Sequence, residues 1–407
     1  MKSYFILAWR NIWRNKRRTL ITASSIAFAL VFALLMRGFQ IGSYRIMIDN
    51  LVQTYTGYIQ IHAKGYWDDR TIDNSFVEDP ELDNQISKIH GIKALIPRLE
   101  SFALASEGQK TKGVMVCGIE PVAEKALTKL SQKIVKGRYL NSNDSGVLVA
   151  EGLAKYMKLG VNDTLVLIGQ GYHGVSAAGK YEILGIVHFP TPEMNNQMVY
   201  LSLKNARNLY SADNRLTSLA VNLEDRELIY ETERQIKNIL SDGNYEVMTW
   251  EFMLKEMVQY IKLDQSSGFI MLGILYFVIA FGILGTLMMM ISERTREFGM
   301  MVAVGMKRIL IAFVVLIEMV YIALIGTLSG IIISMPVIIF FLFHPIRLTG
   351  ETAKMMENYG MEPVMPVAFI PDYFIGQSLI ILFILTVVLI YPVSRILRLN
   401  LIHALRR

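Results

Sequence analysis

The chain has 407 residues, of which 53% are hydrophobic and only 19% charged, with a mean hydropathy of +0.37 and a formal net charge of +6. A soluble domain carries about 25% charged residues, so this composition excludes an ordinary globular protein and points to a membrane protein. A single cysteine, Cys117, excludes an intramolecular disulfide.

Residues 1–18 read as a cytoplasmic amphipathic helix that leads into the membrane. Phe5, Trp9, Ile12 and Trp13 recur at helical spacing, with Arg10, Arg14 and Arg17 on another stripe. Trp paired with Arg suits a helix lying at a membrane interface. The first of four long apolar runs follows, and a spanning helix needs about 20 such residues. This run is too long for a signal-peptide core, and no small-residue cleavage site follows it. We place the first transmembrane helix at 19–41, with a stalk continuing it outward.

Residues 42–265 form one large domain between the first and second transmembrane helices. The run 58–62 alternates as a strand does, and strand-like runs recur at 113–119, 146–150, 164–168, 181–188, 198–201 and 218–223. Helical stretches fit 80–90, 152–159, 203–210 and 227–240, and a second stalk fits 250–265. The pattern is that of an α+β domain, large enough for its own core and for two subdomains.

Three more transmembrane helices are placed at 266–291, 309–343 and 373–394. A charged segment at 292–308, expected as a cytoplasmic coupling helix, separates the second from the third. An outer loop at 344–372 and a cytoplasmic tail at 395–407 complete the chain. The third helix holds a single charge, Glu318, and Pro336 is expected to break or kink it. An intramembrane carboxylate is a functional candidate by default. Two roles stay open for Glu318: proton coupling, or a polar clamp between helices. Gly326, Ser329, Gly330 and Ser334 on the same run favour close helix packing.

Lys and Arg near the spans set the orientation. Residues 1–18, 292–308 and 395–407 hold 14 of the 41 basic residues but only 2 of the 35 acidic ones, which leaves 27 basic against 33 acidic elsewhere. Both termini and the 292–308 segment are therefore cytoplasmic, and 42–265 is extracytoplasmic. The outer domain is acidic on balance, which speaks against a nucleic-acid partner.

No catalytic constellation stands out. Gly174 to Lys180 has the spacing of a phosphate-binding loop, but Tyr181 replaces the Ser or Thr and no apolar strand immediately precedes it, so a hairpin turn is the better assignment. The six histidines show no ligand spacing, and no metal site is expected.

The segment Ser292-Glu293-Arg294-Thr295-Arg296-Glu297-Phe298-Gly299, followed by Ala303-Val304-Gly305 and Lys307, resembles the coupling segment of FtsX-like ABC permeases, the MacB and lipoprotein-releasing (Lol-type) group. Residues 313–318 with Gly326 and Gly330 resemble that family's third span. Arg14-Asn15-Lys16-Arg17-Arg18-Thr19 resembles its N-terminal segment, and Tyr391-Pro392 through Ala404–Arg407 its terminal signature, with Asn400-Leu401 in place of Asp-Pro. The resemblance implies a non-enzymatic permease subunit of the bacterial inner membrane, multi-pass, that works by mechanotransmission. Its cofactors, ATP and magnesium, would sit on a separate cytoplasmic ABC ATPase subunit. A second permease copy or paralogue would complete the complex. The implied substrate is a lipoprotein or amphiphile, with room for a periplasmic carrier. Drug, peptide or toxin export is the alternative, and an FtsX-like signal transmitter controlling cell-wall hydrolases another. Glu293, Arg294, Arg296, Glu297, Phe298, Gly299 and Gly305 are the implied ATPase-coupling residues. Phe32, Phe39, Tyr260, Phe269 and Tyr276 are the implied substrate path.

The orientation is directly testable. A cysteine at Asn141 should react with a membrane-impermeant thiol reagent in cells with a permeabilised outer membrane, and one at Thr295 should not. The reverse labelling pattern would overturn the topology.

Overall fold

A computed structural model describes residues 2–189, 191–241, 243–358 and 363–398. The chain divides into two compact units: Met1–Arg45 with Tyr260–Arg347 and Val364–Arg407, and Ile46–Gln259 with Leu348–Pro363. Helix α1 (Lys2–Arg14) is separated by one residue from α2 (Lys16–Leu51), which a π-helical turn extends over Val52–Thr56.

The second unit is α/β. In chain order it contains β1 (Ile59–Ala63), β2 (Phe76–Val77), α3 (Pro80–Ser87), β3 (Ile92–Glu107), β4 (Lys110–Ile119), α4 (Pro121–Thr128), β5 (Ile134–Gly137), β6 (Val147–Ala150), α5 (Glu151–Met157), β7 (Thr164–Gln170), β8 (Ser176–Val187), α6 (Pro192–Gln197), β9 (Met198–Ser202), α7 (Leu203–Tyr210), β10 (Arg215–Leu216), β11 (Ser218–Leu223), α8 (Ile229–Ile239), β12 (Tyr245–Thr249) and α9 (Trp250–Met253). The long strand β3 organises them. Its first half pairs with β11, Arg98 opposite Ser218, and β1 and β12 continue that sheet. Ile86 of α3 and Ile229 and Ile236 of α8 pack there on Ile59, Ile61 and Leu219. The second half of β3 pairs with β7 on one edge and β4 on the other. From β4 the pairing runs through β9, β6 and β8 and returns by β7, closing a six-strand circuit. The larger core belongs to these strands and includes Val116, Leu148, Leu167, Ile183 and Val199.

Arg98 sits where the two halves of β3 meet. It is fully buried, and its Nε and Nη2 donate to the carboxylate of Glu124 on α4 at 2.9 and 2.7 Å. Its Nη1 donates to the Tyr55 carbonyl in the π-helical turn. Removing one partner of such a buried pair costs about 3–5 kcal/mol, because the other charge is stranded. The phosphate-loop spacing at 174–180 falls on the β7–β8 turn and in β8, with Gly179 opposite Leu167 in the ladder, as expected of a hairpin.

The first unit is helical. It contains most of α10 (Lys255–Ala303), then α11 (Arg308–Phe343), and α13 (Pro371–Leu397), which follows the strand pair β13 (Ile346–Arg347) and β14 (Val364–Met365) around α12 (Glu351–Asn358). Among the described residues four helices, Lys16–Thr56, α10, α11 and α13, are long and apolar enough to cross a membrane. Gly326 and Gly330 bring α11 against α2: a Cβ on Gly326 would lie 2.9 Å from the Ala23 carbonyl oxygen, and one on Gly330 3.1 Å from that of Ala27. Residues 366–368 cross α2 in the same manner. A Cβ on Gly38 would meet Val367 at 2.9 Å, one on Gly42 would collide with the Pro366 carbonyl, and the Ala368 N–H donates to Gly38 O at 2.9 Å. One sequence expectation changes, and of the two outcomes expected at Pro336 a break is ruled out. Residues 292–303 are the last turns of α10 rather than a separate coupling helix, because nothing between 255 and 303 breaks the helix. Likewise α11 runs through Pro336 without ending. The terminal residues 399–407 lie outside the described residues.

Strand β1 also carries a pH-sensitive group. His62 is 1% exposed, its ring stacks 5.0 Å from that of Tyr66, and its Nδ1 lies 2.9 Å from the Thr217 carbonyl, to which it donates. Burial pushes its pKa down from the usual 6.5 to about 4. The folded state therefore keeps His62 neutral while the unfolded chain takes up a proton below pH 6.5. Stability should fall as the pH drops from 6.5 towards 4, by about 3 kcal/mol in total. Unfolding measured across that window in wild type and His62→Gln checks this. The variant should show a flatter slope, and identical slopes would rule His62 out as the cause.

Candidate functional site

The residues that sequence marks as charged handle and as intramembrane acid meet in one place. Leu287, Ile291, Arg294 and Phe298 fall at spacings of three and four along α10, so they share one stripe, and all four are buried. Arg294 therefore points inward. Its Nη1 donates to Glu318 Oε2 on α11 at 2.7 Å, its Nε to Glu297 Oε2 at 3.3 Å, and its guanidinium lies 5.2 Å from the Phe298 ring. Glu318 is 2% exposed and takes a second bond, 2.6 Å, from Asn11 Nδ2 on α1. Arg14 reaches Glu297 at 2.8 Å, and Arg18 contacts Glu293.

Three acids, Glu293, Glu297 and Glu318, are thus matched by three bases, Arg14, Arg18 and Arg294. Helix α1 is seated beside them. Ala8 packs with Val314 and Ile317 of α11, and Trp9 meets Tyr321 edge-on at 5.5 Å. Phe5, Trp9 and Trp13 remain 44–54% exposed on its other side. A groove of about 280 Å³ between α1, the end of α10 and the start of α11 is lined by Leu7, Phe298, Met301, Met306 and Val314.

The sequence treats Arg294 and Phe298 as surface contacts for a partner; the structure uses both to hold its own helices, and Gly299 is buried too. The exposed face is the opposite one. It carries Glu293, Arg296 and Met300 and ends in a turn where Val304 is 90% exposed and Gly305 adopts φ +100°. Glu318 is a clamp between α1, α10 and α11, one of the two roles its position leaves open. Asn11 went unrecognised in the sequence. Its signal is its register with Ala8 and Ile12, on the buried side of α1.

The aromatic residues assigned to a substrate path do not form one cluster. Phe32, Tyr260 and Phe269 are 39%, 58% and 57% exposed, whereas Phe39 packs on Phe341 at 5.6 Å. Tyr276 faces inward, 9% exposed, with its hydroxyl on Gln377 of α13, so it lines no outer path.

Four apolar helices, an α/β domain set between the first two along the chain, and a charge-balanced clamp define a multi-span membrane protein. Residues 269–401 match the profile of the FtsX-like permease C-terminal family. The chain is similar to the lipoprotein-releasing system transmembrane protein LolC of Neisseria meningitidis, 23% identical over 64% of this chain and 65% of that protein. It is similar to the macrolide export ATP-binding/permease protein MacB of Campylobacter jejuni, 23% identical over 88% of this chain and 56% of that one. The chain spans less than two thirds of the length of these curated relatives. Among solved structures it is similar to the periplasmic region of MacB from Actinobacillus actinomycetemcomitans, with a TM-score of 0.37 and 16% identity over 52% of this chain and 96% of that one. Residues 269–401 thus correspond to the C-terminal domain of FtsX-like permeases.

Removing Glu318 takes away the shorter of the two carboxylate contacts of Arg294 and leaves it only Glu297 at 3.3 Å. Glu318→Ala should destabilise the protein by about 3 kcal/mol and Asn11→Ala by about 1.5 kcal/mol. The double variant should lose less than the sum, because both act on one bond. Thermal unfolding of the detergent-solubilised chain measures this, and full additivity would show that the two side chains do not act together.

Proposed function

We propose that this chain is the membrane subunit of an ABC exporter that converts ATP-driven movement in the cytoplasm into movement of an extracytoplasmic domain, and that its task is the release of lipoproteins from the bacterial inner membrane. The observation that carries this reading is the exposed face of the α10 end, Arg296, Met300 and Val304, rigidly fixed by the clamp beneath it within an FtsX-like permease domain. A fully exposed valine at a turn is poorly suited to water and well suited to a pocket on a partner.

ATP and magnesium belong to that partner, a cytoplasmic ATPase. When two ATPase subunits close, they push on the exposed turn. Helix α10 has 49 residues, a rod of about 73 Å, and offers no break at which the push could dissipate. Arg294 and Phe298 couple the rod to α1 and α11 rather than touching the ATPase. A second permease copy or paralogue would supply the other half. The exposed aromatics Phe32, Tyr260 and Phe269 face lipid or the acyl chains of a substrate. Similarity to a protein of a lipoprotein-releasing system favours lipoproteins. Similarity to a macrolide exporter over 88% of this chain supports drug export as the second reading.

The test is a Met300→Asp, Val304→Asp pair. It should insert normally, lose co-purification of the ATPase, and reduce substrate release by about tenfold or more. Undiminished ATPase binding and release would overturn the proposed docking face. Mass spectrometry of molecules bound to the wild-type complex distinguishes a lipoprotein from a drug or peptide.

A further inference from the structure

Arg37 lies on α2 about 31 Å along the helix from Lys16, one hydrocarbon thickness away from the charged end. It is 4% exposed, yet among the described residues no carboxylate pairs with it. Its Nη1 donates to Gln40 Oε1 at 2.5 Å and its Nη2 makes a long bond of 3.4 Å to the Tyr373 hydroxyl. Its Nε is buried without an acceptor. The acid of the cluster, Asp264 on α10, is engaged elsewhere, by Gln40 Nε2 at 3.0 Å and by the Tyr44 hydroxyl. A guanidinium has five N–H donors in a planar fork, and here two neutral acceptors serve them. A buried cation so poorly matched is costly unless another anion completes its shell.

Two aromatic rings cover Arg37, Tyr373 at 5.2 Å and Phe269, and the second of them is exposed. The Phe269 ring lies 4.5 Å from the guanidinium carbon and is 57% exposed, so the seal over the cation is a side chain on the surface of the helical unit. Below Phe269, α10 continues with exposed Ile270, Ile274 and Phe277, an apolar track for an acyl chain.

We propose that Arg37 anchors a lipid-phosphate site. Phe269 swings aside, Nε and Nη2 take two phosphate oxygens, and the Tyr373 hydroxyl, released from its long bond, donates to a third. The fork geometry fits a tetrahedral oxyanion, and at the edge of the hydrocarbon the abundant oxyanion is a phospholipid headgroup. Gln40 keeps the charge of Asp264 from occupying the fork. The site does not depend on the permease reading, because it concerns the resting contacts of the helical unit with lipid.

The test uses the full chain in dodecyl maltoside, titrated with dioctanoyl phosphatidylglycerol, with dioctanoylglycerol and with inorganic phosphate, and read as the shift in thermal midpoint. The phospholipid should raise the midpoint saturably and dioctanoylglycerol should not. Arg37→Gln should weaken that response by about tenfold, with Arg37→Lys in between. Phe269→Ala leaves the cation in place and unseals it, so it should strengthen binding by about threefold or more. That variant carries the test if Arg37→Gln fails to fold. Equal responses to phosphatidylglycerol and dioctanoylglycerol, or an unchanged response in Arg37→Gln or Phe269→Ala, overturn the proposal. A saturable shift with inorganic phosphate alone overturns the lipid as the source of the anion.

Discussion

A carboxylate in the middle of apolar helix must be matched, and matching Glu318 fixes much of the helical unit. Burying an ion without partners costs several kcal/mol, more than most single contacts return. Glu318 meets that demand with Arg294 and Asn11. Each partner then has a position imposed on it. Arg294 must face inward, which sets the rotation of the last turns of α10 and brings Phe298 in with it. Asn11 must reach α11, which seats α1 on the Val314–Tyr321 surface. The chain end before the first span and the segment after the second are thereby joined through one side chain.

The α/β unit has a comparable centre. Arg98 and Glu124 are both removed from water, and the bidentate geometry of their contact makes that burial tolerable. Because β3 belongs to the four-strand sheet through one half and to the six-strand circuit through the other, displacement of one core strains the other. The bond from Arg98 to the Tyr55 carbonyl ties this junction to the turn that extends α2. The two halves are joined through a shared strand.

Much of this was legible in the sequence. Long apolar runs announce spans, and alternation at 58–62 with strand-like runs at 164–168 and 218–223 announces strands. The glycine and serine positions on the third run marked its close contact, now seen at Gly326 and Gly330. β3 was not legible. It contains Pro97, it buries Arg98 and Glu100, and it exposes Phe102 and Leu104, so its pattern is inverted along part of its length. The inward turn of Arg294 was missed for a related reason. A charge in a cytoplasmic segment reads as solvated, but the stripe of Leu287, Ile291, Arg294 and Phe298 continues the buried face of the span, and that register was the better guide. No sequence pattern shows that Arg37 stands without an acid beside it, since that depends on Gln40 and Tyr44 engaging Asp264 first.

The notch on α2 formed by Gly38 and Gly42 has a consequence for how the protein is made. Residues 366–368 fill it, and the Ala368 N–H bonds to Gly38. Those residues leave the ribosome more than 320 residues after Gly42. The first span therefore waits in the bilayer with its notch open to lipid over that stretch of synthesis, although α10 and α11 reach other parts of it sooner. Any product truncated ahead of that segment would carry an inserted but unfinished first helix, recognisable to membrane quality control by its open glycine face.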